Sequence, residues 1–331
     1  MLNQRTVAVN DVELNVIDEG PRDGPLVILA HGFPELAYSW RHQIPALAEA
    51  GYRVLAPDQR GYGRSSRPQN IADYDIEHLS ADLVGLIDDA GADKAVLVGH
   101  DWGSMAVWQT TLLHPDRVAG VCGMSVPFSP RGPVAPTQIW RQVFDGKFFY
   151  ILYFQEPGVA EAELDADAAK VMRRLLSGTR TDRGASIDAN ADDGRGFADR
   201  FPEPEHLPDW LSQEELDFYS AEFARTGFGG GINWYRNFDR NWELTPQLDG
   251  ATIDVPSLFI GGKLDPVLLM APPDNQAQWL TDFGGNVLIE DAGHWVQQEK
   301  ADEVNAALLS WLRDITNDNT HDNARDNAGE N

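Results

Sequence analysis

Residues 94–113 read KAVLVGHDWGSMAVWQTTLL, and three different patterns meet in them. The run AVLVG is short, apolar and β-branched, as a buried strand requires, and SMAVWQTTLL spaces its apolar residues as a helix does. Between them lies Gly99-His100-Asp101-Trp102-Gly103, a G-x-D-x-G turn from strand to helix. Two glycines allow a turn so sharp that the central side chain is exposed in strained backbone, aimed at the amide end of the following helix. An anion is favoured there, because the first amides of a helix have no carbonyl partners. An Asp at such a junction also serves as an ordinary helix N-cap, so the pentapeptide alone leaves both readings open.

Working outward, the same strand-then-helix alternation recurs. Strands are predicted at 26–30, 52–56, 95–99, 118–126, 257–261 and 286–290, with helices at 80–90, 104–114 and 301–313. Runs at 6–9 and 13–18 straddle Asn10-Asp11 and predict an antiparallel hairpin at one sheet edge. The alternation stops after 126, where Pro, aromatics and helical patterns take over, and it resumes after 245. The expected architecture is α/β: a mostly parallel eight-stranded sheet flanked by helices, with an inserted, mainly helical cap. Core segments at 1–126 and 246–315, a cap at 127–245 and a disordered polar tail at 316–331 follow from that reading. Inside the cap, 178–200 is poor in apolar residues and is expected to be an exposed loop.

Hydrophobic residues make up 42% of the 331 and there are ten Trp, enough for a large core and an apolar pocket. The net charge of -26 argues against nucleic acid or an anionic membrane as partner. Neither a basic-then-apolar leader nor a membrane-length apolar run of roughly 18 residues is present, so a cytoplasmic protein is expected. Cys122 sits in an apolar run and reads as core. No metal-ligand spacing or cofactor motif is found, and none of either is expected.

Three other segments supply partners for Asp101. His31-Gly32-Phe33-Pro34 follows the strand LVILA, where the Phe33 amide, together with that of Trp102, would form an oxyanion hole. Asp265 follows the strand SLFIGG, and His294 follows NVLIE. Chain order is therefore nucleophile, acid, histidine, each at the carboxyl end of a predicted parallel strand, as in α/β hydrolases. A carboxylate nucleophile attacks alkyl carbon and forms an alkyl ester, so the substrate must carry a leaving group on sp³ carbon. Epoxides and haloalkanes both qualify. His294 would then activate water against the ester, with Asp265 fixing its tautomer. An opening epoxide needs an acid such as a Tyr hydroxyl, and the cap offers Tyr150, Tyr153, Tyr219 and Tyr235. Phe33, Pro34, Trp40 and Trp102 are candidate walls of the substrate pocket, although core packing would use the aromatic ones equally well.

With these residues in view, HGFPELAYSW, DQRGYGRSS, GHDWG, YILYFQEPGVAEAEL, GGINWYRNFDRNWELT and DAGHWVQQEKADEVN strongly resemble the soluble epoxide hydrolases, over nearly all of 5–314. The resemblance implies conversion of an epoxide and water to a vicinal diol, with Asp101, Asp265 and His294 as nucleophile, acid and base. It also implies that Tyr150 and Tyr235 are the pair polarising the epoxide oxygen. Glu35 falls where the family has a carboxylate that helps order the hydrolytic water, a solvated loop Glu being the other reading. His100 matches the family motif and reads as structural. The phosphatase domain of mammalian members has no counterpart here, and a homodimer is left open as the assembly. A haloalkane-type dehalogenase shares the triad but not the YFQEPG and NWYRN runs. A ligand receptor on the same scaffold is a third reading, though no triad member is missing.

Overall fold

In a computed structural model, which describes residues 2–183 and 193–326, eight strands form one sheet in the order β1-β2-β4-β3-β5-β6-β7-β8. The strands are β1 (Gln4–Val9), β2 (Val12–Glu19), β3 (Leu26–Ala30), β4 (Arg53–Pro57), β5 (Ala95–His100), β6 (Val118–Met124), β7 (Ser257–Gly262) and β8 (Phe283–Ile289). β1 and β2 pair antiparallel in the register Val9↔Val12, turning through Asn10 at φ 49°, and β2 runs antiparallel to β4. The other pairings are parallel. The predicted architecture is therefore the observed one, and the predicted strands lie within a few residues of the real ones.

Side chains alternate across the inner strands, since neighbours on a strand point to opposite faces. Leu26, Ile28 and Ala30 face one core, with Leu83, Leu86 and Val107 from the helices Ile76–Asp89 and Trp102–Leu113. Val27 and Leu29 face the other, with Ile44, Leu47, Val304 and Leu308 from the helices Gln43–Glu49 and Ala301–Asp326. Each fully buried Val, Leu or Ile among them contributes about 1.5–3 kcal/mol. β3 sends its connection to β4 on one side while β5 lies on its other side. The crevice above the ends of β3 and β5 is thus the topological switch point, where open α/β sheets bind ligands.

Between β6 and β7 the described residues add no strand to the sheet, and their helices lie over this crevice. Two expectations need correction. Residues 178–200 are not simply an exposed loop: Phe197 and Ala198 are buried, and Thr179 turns inward, because aromatic and small residues at its ends pack beneath the helix Ala168–Gly178. The acidic stretch around 192 lies outside the described residues. The last helix also runs on to Asp326, into the tail expected to lack order, since extending a helix already seated by Val304, Leu308 and Leu312 costs far less than starting one. Residues 327–331 lie outside the described residues. Among the described residues no helix is long and apolar enough to cross a membrane.

Candidate active site

Asp101 holds φ 52° and ψ -118° at the junction of β5 and the following helix, a conformation that costs a non-glycine residue about 1–3 kcal/mol. Close packing enforces it. A Cβ on Gly99 would strike the Gly103 carbonyl, and one on Gly103 would strike the Ala30 carbonyl of β3. The strand, the turn and the helix therefore touch backbone to backbone, and the Asp101 carboxylate is presented to the crevice. The Phe33 N–H donates to its Oδ1 at 2.8 Å, and the Trp102 backbone hydrogen-bonds the same carboxylate. Burial pushes the Asp101 carboxyl above its ordinary value, opposed by His294, His100 and these amides.

His294 brings Nε2 to 3.7 Å from Asp101 Oδ2, while Nδ1 faces both oxygens of Asp265 at 3.1 and 3.0 Å. Burial disfavours the imidazolium, but the Asp265 carboxylate, with Asp101 and Glu35 behind it, pushes the group up to about 9. The Val267 N–H holds Asp265 in turn. The two loops are joined by the Leu264 N–H donating to the Ala292 carbonyl at 2.8 Å. From the cap, the Thr179 carbonyl accepts from the His294 N–H, and the Thr181 N–H donates to the Leu264 carbonyl.

Tyr150 and Tyr235 stand with ring centres 5.9 Å apart and line one cavity of about 70 Å³ with Asp101 and His294. The Gln155 amide donates to the carbonyls of both Ile151 and Tyr235, tying together the helices that carry the two tyrosines. Burial and the Asp101 charge push both hydroxyls far up; at Tyr235 a hydrogen bond from the Trp102 side chain pulls the other way. Both are thus neutral donors. Among the described residues no cluster of three His, Cys, Asp or Glu is arranged to hold a metal ion.

Of the expected pocket walls, Phe33 and Pro34 line the cavity, joined by a cis peptide bond. Trp40 does not. It is fully buried on the opposite face of the sheet, packed in the core with Ile44 and Leu47, because the short turn Ala37–Trp40 carries it past the strand ends. The Trp102 ring is one layer back, edge-on to Tyr235 at 5.0 Å, so it supports the wall without forming it. Glu35 is not a solvated loop residue. It is buried, and accepts from the Gly32 N–H, His100 Nδ1, Gln297 Nε2 and Gln298 Nε2. Burial opposes its charge, yet His100 and His31 bring it down to about 2. These four donors hold the carboxylate in place, so it braces the oxyanion turn and His100. His100 passes that bracing on, donating to the His294 carbonyl at 2.8 Å.

The remaining cavity residues include Phe148, Leu175, Thr179, Phe197, Arg200, Phe201 and Trp295. None had a motif to mark it. The aromatic run FFY ending at Tyr150 and the i, i+4 pair Phe197 and Phe201 were the available signals.

Residues 25–301 match the family model of the alpha/beta hydrolase fold. The chain is 60% identical over 311 residues to epoxide hydrolase A of Mycobacterium tuberculosis, covering 93% of this chain and 97% of that protein. It is 40% identical over 303 residues to bifunctional epoxide hydrolase 2 of Mus musculus, covering 91% of this chain and 54% of that protein. Among solved structures, epoxide hydrolase A from Mycobacterium thermoresistibile is similar with a TM-score of 0.92 at 57% identity, over 95% of this chain and 98% of that one.

Proposed function

Since this chain belongs to the epoxide hydrolases of the α/β-hydrolase fold, which add water to an epoxide, we propose that it does so through an alkyl ester on Asp101. The observation that carries the reading is the convergence on one cavity of Asp101, its backbone donor at 2.8 Å, the His294–Asp265 pair and two neutral tyrosines. Oδ1 is occupied by the Phe33 amide, which leaves Oδ2 to attack. As the Oδ2–carbon bond forms, the ring C–O bond breaks and its electron pair goes to the epoxide oxygen, which takes a proton from Tyr150 or Tyr235.

Esterification also removes the negative charge that faced His294. With one of the causes of its raised pKa gone, the imidazolium gives up its proton to restore the tyrosine, and the neutral ring becomes a base for water. Hydroxide adds to the Asp101 carbonyl carbon, and charge gathers on Oδ1, where the Phe33 amide already points, with the Trp102 backbone bonding the same carboxyl group. The ester then splits. The proton on the regenerated carboxyl group goes to the departing diol oxygen, and Asp101 and imidazolium are restored. Glu35 and His100 act through the His294 backbone. Residues 127–245 serve as the cap that supplies the acids. The reading includes a cytoplasmic location with small epoxides and water as partners, in keeping with the charge of -26.

Replacing His294 with Gln tests it. Alkylation should proceed and hydrolysis should stall, so an adduct of substrate mass should accumulate on the peptide containing Asp101. Diol formation with no adduct at any time would overturn the ester.

A further inference from the structure

Arginines bordering this site fall into two kinds. A guanidinium carries five N–H donors. Arg180 uses all of them, on both oxygens of Asp182, on the Asp291 carbonyl and carboxylate, and on Glu299. Arg236, next to Tyr235, also uses all of its own, on Glu161, Asn233 and the carbonyls of Phe154 and Glu156. Both are structural fasteners with nothing left to offer a ligand.

Arg200 differs, and it lines the same cavity as Asp101 and the two tyrosines. Its side chain is only 8% exposed, yet both of its hydrogen bonds leave from Nη2, to Asp193 Oδ1 at 3.0 Å and to the Arg195 carbonyl at 3.1 Å. Nε is buried without an acceptor, and three of the five donors have no partner among the described residues. The guanidinium is held in place by stacking, with its central carbon 3.7 Å over the Phe148 ring, another wall of the cavity. With both N–H groups of Nη2 taken, neither bidentate edge is whole, but among the described residues Nη1 keeps two free N–H groups. A guanidinium fixed by an aromatic face, with those donors unused and its one carboxylate partner 41% exposed, can bind a second anion through Nη1. His294 apart, Arg200 is the one cationic side chain lining the cavity among the described residues, and the other walls are mainly apolar. The protein as a whole carries a charge of -26, so an anion binding here is held by a local cation against the long-range field.

We propose that Arg200 is an anion-recognising subsite that selects epoxides bearing a carboxylate. The proposal rests on the reading of Asp101 as the reacting centre. The carboxylate accepts from Nη1 of the guanidinium while the hydrocarbon between it and the epoxide lies along Phe148, Phe197 and Leu175. Fixing the far end of the substrate in this way orients the ring toward Asp101.

The test compares ω-epoxyalkanoates of graded chain length with their primary amides, which match them in size but carry no charge. Wild-type enzyme should favour the acid at one chain length. Arg200→Met should lower kcat/KM for that acid by about tenfold to a hundredfold, the range for losing hydrogen bonds to a charged group, while the amide changes by less than about threefold. Arg200→Lys, which keeps the charge but not the planar group fixed on Phe148, should fall between. A second arm titrates an unreactive saturated alkanoate into wild type and Arg200→Met by calorimetry, and binding should be lost in the variant. This arm involves no chemistry, so it reads Arg200 even if Asp101 has been misassigned, whereas turnover of the amide reads Asp101 alone. Equal losses for acid and amide, or alkanoate binding unchanged by the substitution, would overturn the subsite.

Discussion

The crevice and the cap over it hold their functional groups by different means. In the crevice, Asp101, Asp265 and His294 stand on loops fixed by backbone: glycines in contact at the elbow, the Leu264–Ala292 hydrogen bond, and the His294 carbonyl accepting from both His100 and Ser125. In the cap, Tyr150, Tyr235, Phe197 and Arg200 are held by side chains: Gln155 and Arg236 tie the tyrosine helices together, and Glu163 accepts from the amides of Phe197 and Ala198. Backbone geometry varies little with sequence, whereas side-chain packing can be rebuilt one residue at a time. The floor therefore dictates what bond is made to the enzyme, and the roof dictates which leaving group is helped and which substrate is admitted. The same contrast bears on the dehalogenase reading: the Trp102 side chain, a donor a halide would need, is engaged with Tyr235.

The largest expected effect breaks the roof while sparing the floor. Changing Tyr150 and Tyr235 together to Phe should slow ring opening by about a hundredfold to ten-thousandfold, the usual worth of general acid catalysis, and each single change by about tenfold because its partner still donates. Hydrolysis of a preformed ester should be unaffected. Rapid-quench measurement of ester formation and decay separates the two steps, and equal slowing of both would mean that the tyrosines shape the whole site instead of serving one step.

The contrast also explains what could be read from the sequence. Strand-end positions announce themselves, because a buried strand followed by glycines and a lone Asp or His is a local pattern; Asp101, Asp265 and His294 all fit it, and the structure brings the three together. Tyr150 and Tyr235 were not separable from Tyr153 and Tyr219 on residue chemistry, and only the family resemblance picked them. In the structure Tyr153 donates to Glu163 and Tyr219 bonds Ser39, so both are occupied elsewhere. Trp40 misled for a related reason. Its segment, HGFPELAYSW, surrounds the oxyanion turn, but the face of the sheet that a side chain reaches after such a turn depends on three-dimensional course, not on proximity in sequence. Arg200 lay in a stretch whose composition reads as solvent-exposed, and its inward direction comes from Phe197 and Phe201 on either side of it.

Floor and roof are joined at Arg180, and cutting there should have an intermediate effect. Arg180 passes over Gly293, where a Cβ would meet its side chain, to reach Asp291 and Glu299; Glu299 in turn accepts from the Gly293 and Trp295 amides on either side of His294. The Glu299 side chain is 2% exposed, and burial pushes its carboxyl up even with the arginine present. Arg180→Met should therefore cost about 1–3 kcal/mol of stability, seen as a fall of a few degrees in Tm, through the carboxylate left behind. It should also slow ester hydrolysis severalfold while leaving ester formation nearly intact. If formation slows as much as hydrolysis, Arg180 supports the cap in general and not the His294 loop.

The smallest effect concerns timing within the floor itself. His294 is raised from 6.5 to about 9 in the free enzyme, with Asp265 the main support and Asp101 another. A raised pKa contributes stability that is complete below 6.5 and is lost as pH climbs through about 9, so Tm should decline across that window. The ester has no charge at Asp101, so the imidazole should lose its proton at lower pH there than in the free enzyme. Ester decay, which needs the neutral ring, should accordingly rise with pH through a midpoint below the one that NMR titration of His294 gives for unmodified protein. Ester formation should be flat over the same range, because the tyrosines, whose hydroxyls burial pushes up, still hold their protons. Coincident midpoints would show that Asp101 contributes nothing to holding the proton on His294. The order of steps would then have to be set by the tyrosines above instead of by the charge below.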